Sequence, residues 1–401
     1  MVLKTGTPAR ASEDCAVARE RAWGEARELA HRAPLPLAAR TVPLAAAGGL
    51  TLAEDLCTHH PLPAFDTAAM DGYAVAGPGP WRITGVVRAG TAREGRLAPG
   101  EGVEISTGAL VPAGARAVLP LELAAVGDGW VSGAAPSPGK HIRRTGEDSR
   151  TGTCLAPAGT RVGPALLGLA ASCGNDAVRV RPRPRVGILV TGDELDRSGL
   201  PGPGRVRDAL GPLLPSLIAT LGGEATGVRH VADRPAGQLA QVVCEQRDSD
   251  VLVVTGSTSV GATDQLRELL RDAGARMVVD TVACRPGHPQ LLAGLADGRW
   301  VVGLPGNPYA ALVAAHTLLS PLLAGLSGCG LPSLPRVPVS GDARPVPGLT
   351  RLVPVAWAGS GARIIGGHRS AFLHGAAVGD ALAVIADDWA DGGSAPLVLL
   401  T

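Results

Sequence analysis

Lysine is almost missing from this chain of 401 residues: Lys4 and Lys140 are the only two, and arginine supplies the rest of the 37 basic side chains. Against 36 acidic residues the formal net charge is +1, which excludes a broad electrostatic surface for nucleic acid. Aromatic residues make up 2%, so Ala, Val and Leu must fill any core. No two cysteines have CxxC spacing, and the count is odd: Cys15, Cys57, Cys154, Cys173, Cys244, Cys284 and Cys329. Neither a zinc ribbon nor a disulfide framework is expected, only reduced, mostly buried thiols. Met1 to Asp14 lacks an apolar core segment, so no signal peptide is expected. The longest apolar stretch, Tyr309 to Leu326, carries His316 and is interrupted by Pro321. It predicts a buried core helix rather than a membrane span. The expectation is a soluble, cytoplasmic protein with no nucleic-acid or membrane partner.

What is present reads as several domains. At roughly 100–200 residues per domain, the length allows two to four. Hydrophobic residues at 45% are ordinary, and 55 glycines with 34 prolines stay just under the share that marks low complexity. A charged, Ala-rich stretch predicts a surface helix from Ser12 to about Ala30. Residues 1–65 and 150–183 are expected to form an extended linking domain. Its helix covers Pro164 to Ser172, with Pro in the first turn and Gly174 past the end. Residues 66–149, with short strands such as Trp81–Ile83 and Val103–Ser106, predict an inserted, mostly-β domain. Over residues 184–329, strands and helices alternate. Apolar runs at Arg185–Val190, Val251–Val254 and Trp300–Gly303 are separated by helical stretches such as Gly211–Leu221, Pro235–Gln246 and Thr263–Ala273. That is a doubly wound, mostly parallel α/β domain. Residues 330–401 return to short Pro-bounded strands, a C-terminal β domain. The expected fold class is therefore multidomain α/β, with two smaller mostly-β domains and a linking domain.

In an open parallel sheet, ligands bind beyond the carboxyl ends of the strands. Three strands end in small-residue loops: Thr191-Gly192-Asp193-Glu194, Thr255-Gly256-Ser257-Thr258-Ser259-Val260-Gly261, and Gly303-Leu304-Pro305-Gly306-Asn307-Pro308. Glycine admits a ligand close to the backbone, hydroxyls and N–H groups donate, and a following helix N-terminus favours an anion. None of the three has the spacing of a Walker A loop or a GxGxxG fingerprint, which argues against P-loop ATP hydrolysis and ordinary dinucleotide binding. Together they predict a pocket for a phosphorylated or oxyanionic small molecule. Acids stand on or near such loops: Glu194, Asp264, Asp66, Asp71 and Asp148. Beside a phosphate site they suggest Mg²⁺ shared between carboxylates and substrate oxygens. Arg143 and Arg144 are suited to clamp an anion.

These residues fall into a recognisable pattern. Pro61-Leu62-Pro63-Ala64-Phe65-Asp66 and Ala69-Met70-Asp71-Gly72-Tyr73-Ala74-Val75 resemble the signature of the molybdopterin molybdenumtransferases, the family of the bacterial MoeA-type enzymes and the gephyrin C-terminal domain. Ser106-Thr107-Gly108-Ala109, Arg143 to Asp148, Pro157-Ala158-Gly159-Thr160, Thr191 to Leu195, Ser259-Val260-Gly261, Gly303 to Pro308, Ser370 and Asp380-Ala381-Leu382 follow in the family's order. The resemblance implies a homodimer whose active site joins the α/β domain of one subunit to the second domain of the other. It implies a reaction in which adenylylated molybdopterin and molybdate, with Mg²⁺, give molybdenum cofactor and AMP. It marks Asp66, Asp148, Glu194 and Asp264 as catalytic acids, with Glu194 and Asp264 on the metal. The substrate-binding set it implies is Thr107, Arg143, Arg144, Thr191, Gly192, Gly256, Ser257, Ser259, Gly261, Arg285, His288, Pro305, Gly306, Asn307 and Ser370. Asp193 and Glu194 cannot both face a ligand from a tight turn, and the resemblance favours Glu194.

Several positions depart from the family pattern. Arg285 and His288 flank Pro286-Gly287 where the family has lysines; Arg285 keeps the charge, whereas an imidazole is not a permanent cation. Ser257-Thr258 replaces Gly-Val, Ala209-Leu210 replaces a polar pair, and Thr67-Ala68 replaces Asn-Ser. Two readings therefore stand: an active molybdenum-insertion enzyme, or a catalytically weakened paralogue that binds a pterin or nucleotide or serves in assembly.

Overall fold

Fully apolar strands bury both faces and so must lie inside a sheet covered on two sides. Arg185–Thr191, Val251–Thr255 and Trp300–Leu304 are of this kind, buried along nearly their whole length. In the computed structural model, which describes residues 20–234, 237–256, 265–367 and 369–400, they are central to one six-stranded sheet. Its order is Glu224–Val231, Arg185–Thr191, Val251–Thr255, Trp300–Leu304, Leu291–Gly294, Arg276–Val279. The first four strands run parallel, and Leu291–Gly294 is antiparallel to both of its neighbours. Helices Leu210–Thr220, Gln238–Glu245 and Gln265–Asp272 supply Leu214, Ile218, Leu239, Val243, Leu266 and Leu270 to the two apolar layers. Pro235, Ala236, Thr263 and Asp264, expected within helices, lie outside the described residues.

The chain forms two compact units, residues 39–180 and residues 1–38 with 181–401. The second contains the α/β sheet and a C-terminal β structure. There Thr350–Ala358, Gly361–Ile364, Arg336–Ser340, Ser394–Leu399 and Ala381–Ile385 pair in succession, and the last pairs back to the first, closing a small barrel. Val282–Arg285, which in sequence falls inside the α/β stretch, joins this structure instead, with Arg285 opposite Arg351. In the unit of residues 39–180, a six-stranded sheet spanning residues 72–132 packs around Ala74, Val103, Ile105 and Val118. A separate core of Leu52, Leu56, Val162 and Val180 sits beneath helix Pro164–Ser172.

The N-terminal helix differs from expectation. It covers Trp23–Arg32, and Ser12 to Arg19 lie outside the described residues. It is no surface helix: Trp23, Ala26, Arg27 and Ala30 are buried, a stripe at helical spacing. The Trp23 indole N–H donates to Thr317 Oγ1 (3.0 Å) and Arg27 lies over the Trp23 ring at 5.0 Å. The partner is helix Pro308–Ser327, long and apolar enough to cross a membrane yet 94% buried over its most apolar window. Its middle, Ala315–Leu319, is a π-helical turn.

That turn buries His316, whose Nε2 has no hydrogen-bond partner among the described residues. Burial, reinforced by the Arg27 charge, pushes the imidazole down to about 4. The unfolded side chain titrates near 6.5, so the unfolded chain takes up the proton first as pH falls. This contribution to stability is complete above pH ~6.5 and is lost as pH falls towards ~4, by ~3 kcal/mol in total. Urea midpoints at pH 7.5 and 4.5 test it: wild type should drop further on acidification than His316→Leu.

Candidate active site

The site begins where the parallel strands end. Val190 stands opposite Thr255, and Thr255 opposite Leu304, so three carboxyl ends reach one edge in register. The chain leaves Arg185–Thr191 for the strand on one side and later returns on the other, which makes this edge the topological switch point. Thr191 Oγ1 donates to the Thr255 carbonyl at 2.6 Å and clamps the two strands together. Gly256 follows with φ of +91°, and a Cβ there would stand 2.8 Å from both Thr191 O and Oγ1. Only glycine lets the chain turn so close to its neighbour. Gly306 lies against Gly256, its would-be Cβ 3.5 Å from the Gly256 Cα.

A cavity of about 520 Å³ opens here, lined by Thr191, Gly192, Glu194, Asp208, Leu210, Asp233, Gly256, Gly306 and Asn307 among others. It is acidic. Asp193 is engaged elsewhere: its Oδ1 accepts the Asp233 N–H (3.0 Å), while its own N–H donates to Asp233 Oδ2 (3.3 Å). Glu194 is the member of the pair that lines the cavity. Burial, helped by the negative charges of Asp193 and Glu194, raises Asp233 above the usual carboxylate range. Asp208 is 5% exposed. Burial pushes it up, but N–H donation from Gly211 and Leu210 and the contact of His230 Nε2 with Oδ2 (2.8 Å) outweigh burial and hold it low. Asp208 thus caps helix Leu210–Thr220, the helix that brings Leu210 to the cavity wall.

A second cavity, of about 560 Å³, is basic and shares Asn307 and Ala371 with the first. Arg285, His288, Arg351, Arg369, Ser370 and Pro305 line it. Asn307 Nδ2 donates to Ser370 Oγ (3.2 Å) at the shared wall. Arg351 is 6% exposed. Its Nη1 donates to the Arg344 carbonyl (2.9 Å) and its Nη2 to that of Gly367 (3.4 Å), but its Nε has no hydrogen-bond partner among the described residues. Burial, then the neighbouring Arg285 charge, lowers its pKa. A buried guanidinium with an unanswered donor beside a second arginine suits an oxyanion. His288 Nδ1 faces the Val282 carbonyl (3.0 Å) and Glu20 Oε1 (3.1 Å). Both are acceptors, so Nδ1 carries a hydrogen, and Nε2 can donate to an anion only when the ring is protonated.

In the unit of residues 39–180, strand Ile142–Arg143 pairs with Thr67–Ala68 and sets the Arg143–Asp148 loop beside Asp66. Asp66 Oδ2 receives Arg144 Nη1 (2.6 Å), and Oδ1 receives the Thr145 N–H (2.8 Å) and hydroxyl (3.0 Å). Donation from the Thr145 N–H leads the causes that hold Asp66 below the usual range. Thr107 is fixed in the same way: its N–H (2.6 Å) and hydroxyl (3.0 Å) both donate to Asp71 Oδ1. Arg143 and Asp148 are exposed on this loop. Asp264, Ser257, Ser259 and Gly261 lie outside the described residues.

Among the described residues no group of three or more His, Cys, Asp or Glu side chains forms a ready-made metal site. Mg²⁺ asks for less, one or two carboxylates with substrate phosphates completing its shell, and Glu194 with Asp233 in one cavity meets that. Sequence reading missed Asp233, Asp208, Arg351 and Arg369. Asp233 was findable, since it follows the carboxyl end of the parallel strand Glu224–Val231. Arg351 was not: it is the second residue of strand Thr350–Ala358, and only pairing with Val282–Arg285 brings it to the cavity.

Known proteins resemble this chain throughout. Residues 21–174 match a family model described as MoeA N-terminal region (domain I and II), and residues 187–325 one described as probable molybdopterin binding domain. The molybdopterin molybdenumtransferase 2 of Mycobacterium tuberculosis is 36% identical over 315 residues, covering 74% of this chain and 77% of the relative. The molybdopterin molybdenumtransferase of Synechococcus elongatus is 34% identical over 312 residues, covering 74% and 77%. A crystal structure of the molybdopterin biosynthesis MoeA protein from Pyrococcus horikoshii superimposes with a TM-score of 0.75 at 26% identity, covering 96% of this chain and all of the other.

Gly256→Ala tests the strand junction directly. Placing a side chain at φ +91° against the Thr191 backbone should lower stability by about 1–3 kcal/mol. Gly202→Ala, where nothing lies within 4 Å of the added Cβ, should leave the thermal midpoint nearly unchanged.

Proposed function

Because this chain belongs to the molybdopterin molybdenumtransferase family and so to molybdenum cofactor biosynthesis, we propose that it inserts molybdate into adenylylated molybdopterin with Mg²⁺-dependent release of AMP. The observation that carries this reading is the meeting of two cavities of opposite charge at Asn307 and Ala371. The acidic cavity suits a metal-bridged phosphoanhydride, and the basic one suits the incoming oxyanion.

Each group has a task in this reading. The Gly256 and Gly306 turns let phosphate oxygens approach the backbone, and the N-terminus of helix Pro308–Ser327 favours their charge. Glu194, Asp264 and Asp233 would hold Mg²⁺, which supplies charge neutralisation on the anhydride oxygens when bound. Arg285, Arg351 and Arg369 bind molybdate and hold it near the pterin dithiolene, with Ser370 and Asn307 fixing its orientation. Arg351 keeps its positive charge even when buried, where lysine would lose its proton more readily. Asp66, held low by Thr145 and Arg144, and the exposed Asp148 and Arg143 serve the same substrate from the second domain of a homodimer. A cytoplasmic location belongs to the same reading.

Incubation of the purified protein with adenylylated molybdopterin, molybdate and Mg²⁺ should release AMP. Binding without any AMP would favour the weakened paralogue instead, to which Leu210 in the cavity wall lends support. Glu194→Gln should slow AMP release by about 10–100-fold, the loss of one charged contact. Asp193→Asn, whose carboxylate only joins two loops, should slow it far less.

His288 can be tested by substitution, since it lines the basic cavity. His288→Lys, which puts an ammonium at this position, should bind molybdate at least as tightly as wild type, and His288→Ala should bind it more weakly. Equilibrium binding of molybdate to the three proteins decides it.

A further inference from the structure

Two thiols face each other far along the chain from any cavity-lining residue. The segment carrying the Asp66 and Asp148 loops leaves and returns through a two-stranded antiparallel ribbon, Leu56–Cys57 against Cys154–Ala156. In that ribbon Cys57 is the direct partner of Cys154, and the register shifts only beyond Cys154. The Thr58 N–H donates to the Thr153 carbonyl at 3.1 Å, a ladder bond that flanks the 57–154 pair rather than joining it. Alternation along an antiparallel ladder then makes Cys57 and Cys154 a non-hydrogen-bonded pair. In such pairs Cα atoms stand about 4.5 Å apart and side chains approach most closely. A disulfide needs Cα atoms roughly 4.4–6.8 Å apart.

Directly opposed residues also share one face of the ribbon. Cys154 is exposed and Cys57 half-buried, so a small oxidant can reach the pair, and both thiols are free. The other described cysteines lack this arrangement. Cys173 and Cys284 are buried, Cys244 lies on a helix, and Cys329 belongs to no strand; Cys284 faces Thr350 in its sheet.

We propose that Cys57 and Cys154 form a reversible disulfide on exposure to a hydroperoxide, tying together the two chain segments that carry the inserted domain. In the first step one thiol sulfur attacks a peroxide oxygen, the O–O bond breaks, and a sulfenic acid and water (from hydrogen peroxide) result. In the second, the other thiol displaces hydroxide from the sulfenic sulfur, closing the S–S bond and releasing a second water. The two thiols lose two electrons and two protons, and the peroxide is reduced. A cytoplasmic thiol pool would reopen the bond, so it would serve as a transient, oxidant-responsive clamp.

The test uses the full chain, reduced and then treated with hydrogen peroxide. Non-reducing digestion and mass spectrometry should find the peptides bearing residues 57 and 154 joined, two hydrogen atoms lighter than their sum, and separated again by dithiothreitol. Oxidation should raise the thermal midpoint by roughly 5–10 °C in wild type, and not in Cys57→Ser or Cys154→Ser. In Cys154→Ser the remaining Cys57 sulfenic acid should be trapped by dimedone. The proposal is overturned if both thiols stay free, if each is oxidised separately, or if Cys57 joins a cysteine other than Cys154.

Discussion

The hydrogen bond from Thr191 to the Thr255 carbonyl is the contact on which the site in the α/β unit rests. It adds a side-chain bond to the ladder at the ends of two strands that are apolar on both faces. Once they are fixed, the next residue must turn away at once, and Gly256 does so with a backbone that no side chain could accompany. The loop after Leu304 then meets the same point through Gly306. Three loops arrive together because three strands are in register, and the strands are in register because burial leaves them no freedom to slide.

Charge is sorted around this junction. Acids gather on the side of Glu194, Asp208 and Asp233, where mutual repulsion and burial raise Asp233. Arginines gather on the other side, where Arg351 is buried beside Arg285 at the cost of a lowered pKa. The raised Asp233 and the lowered Arg351 each mark a charge that a ligand of opposite sign would relieve, the first by a cation and the second by an oxyanion. The shortage of lysine fits this division. Guanidinium groups tolerate burial without deprotonation and offer fixed donors in a plane, which suits an oxyanion held in a mostly protein-lined cavity.

The inserted domain shows a different economy. Asp66 and Asp71 hold their places by accepting both the N–H and the hydroxyl of a threonine, Thr145 and Thr107 respectively. Those bonds stabilise the ionised carboxylates and set the loop shapes together. Sequence showed the acids and threonines on loops between short strands, but it could not show that each threonine answers one particular acid, since the partners lie 36 and 79 residues apart.

Much of the fold was legible because its signals are local. Apolar runs without alternation announced buried parallel strands, Pro164 and Gly174 bounded a helix, and Gly-rich turns marked strand ends. The acidic half of the site was partly legible for the same reason, since ligand loops follow strands. Where the sequence reading failed, the missing information was long-range. The charged N-terminal stretch looked exposed until Trp23 and Ala26 met Thr317 and its helix, and Arg351 was an unremarkable strand residue until Val282–Arg285 left the α/β stretch to pair beside it. Composition and spacing alone determined most of which segments would be strands and helices and that three small-residue loops would end strands of one sheet, because backbone and hydrophobic preferences act over a few residues. Only the tertiary structure decided which arginines line the neighbouring cavity, which acid of a neighbouring pair faces the sheet-edge cavity, and which two cysteines stand opposite each other, because those depend on strand pairing between residues distant in the chain.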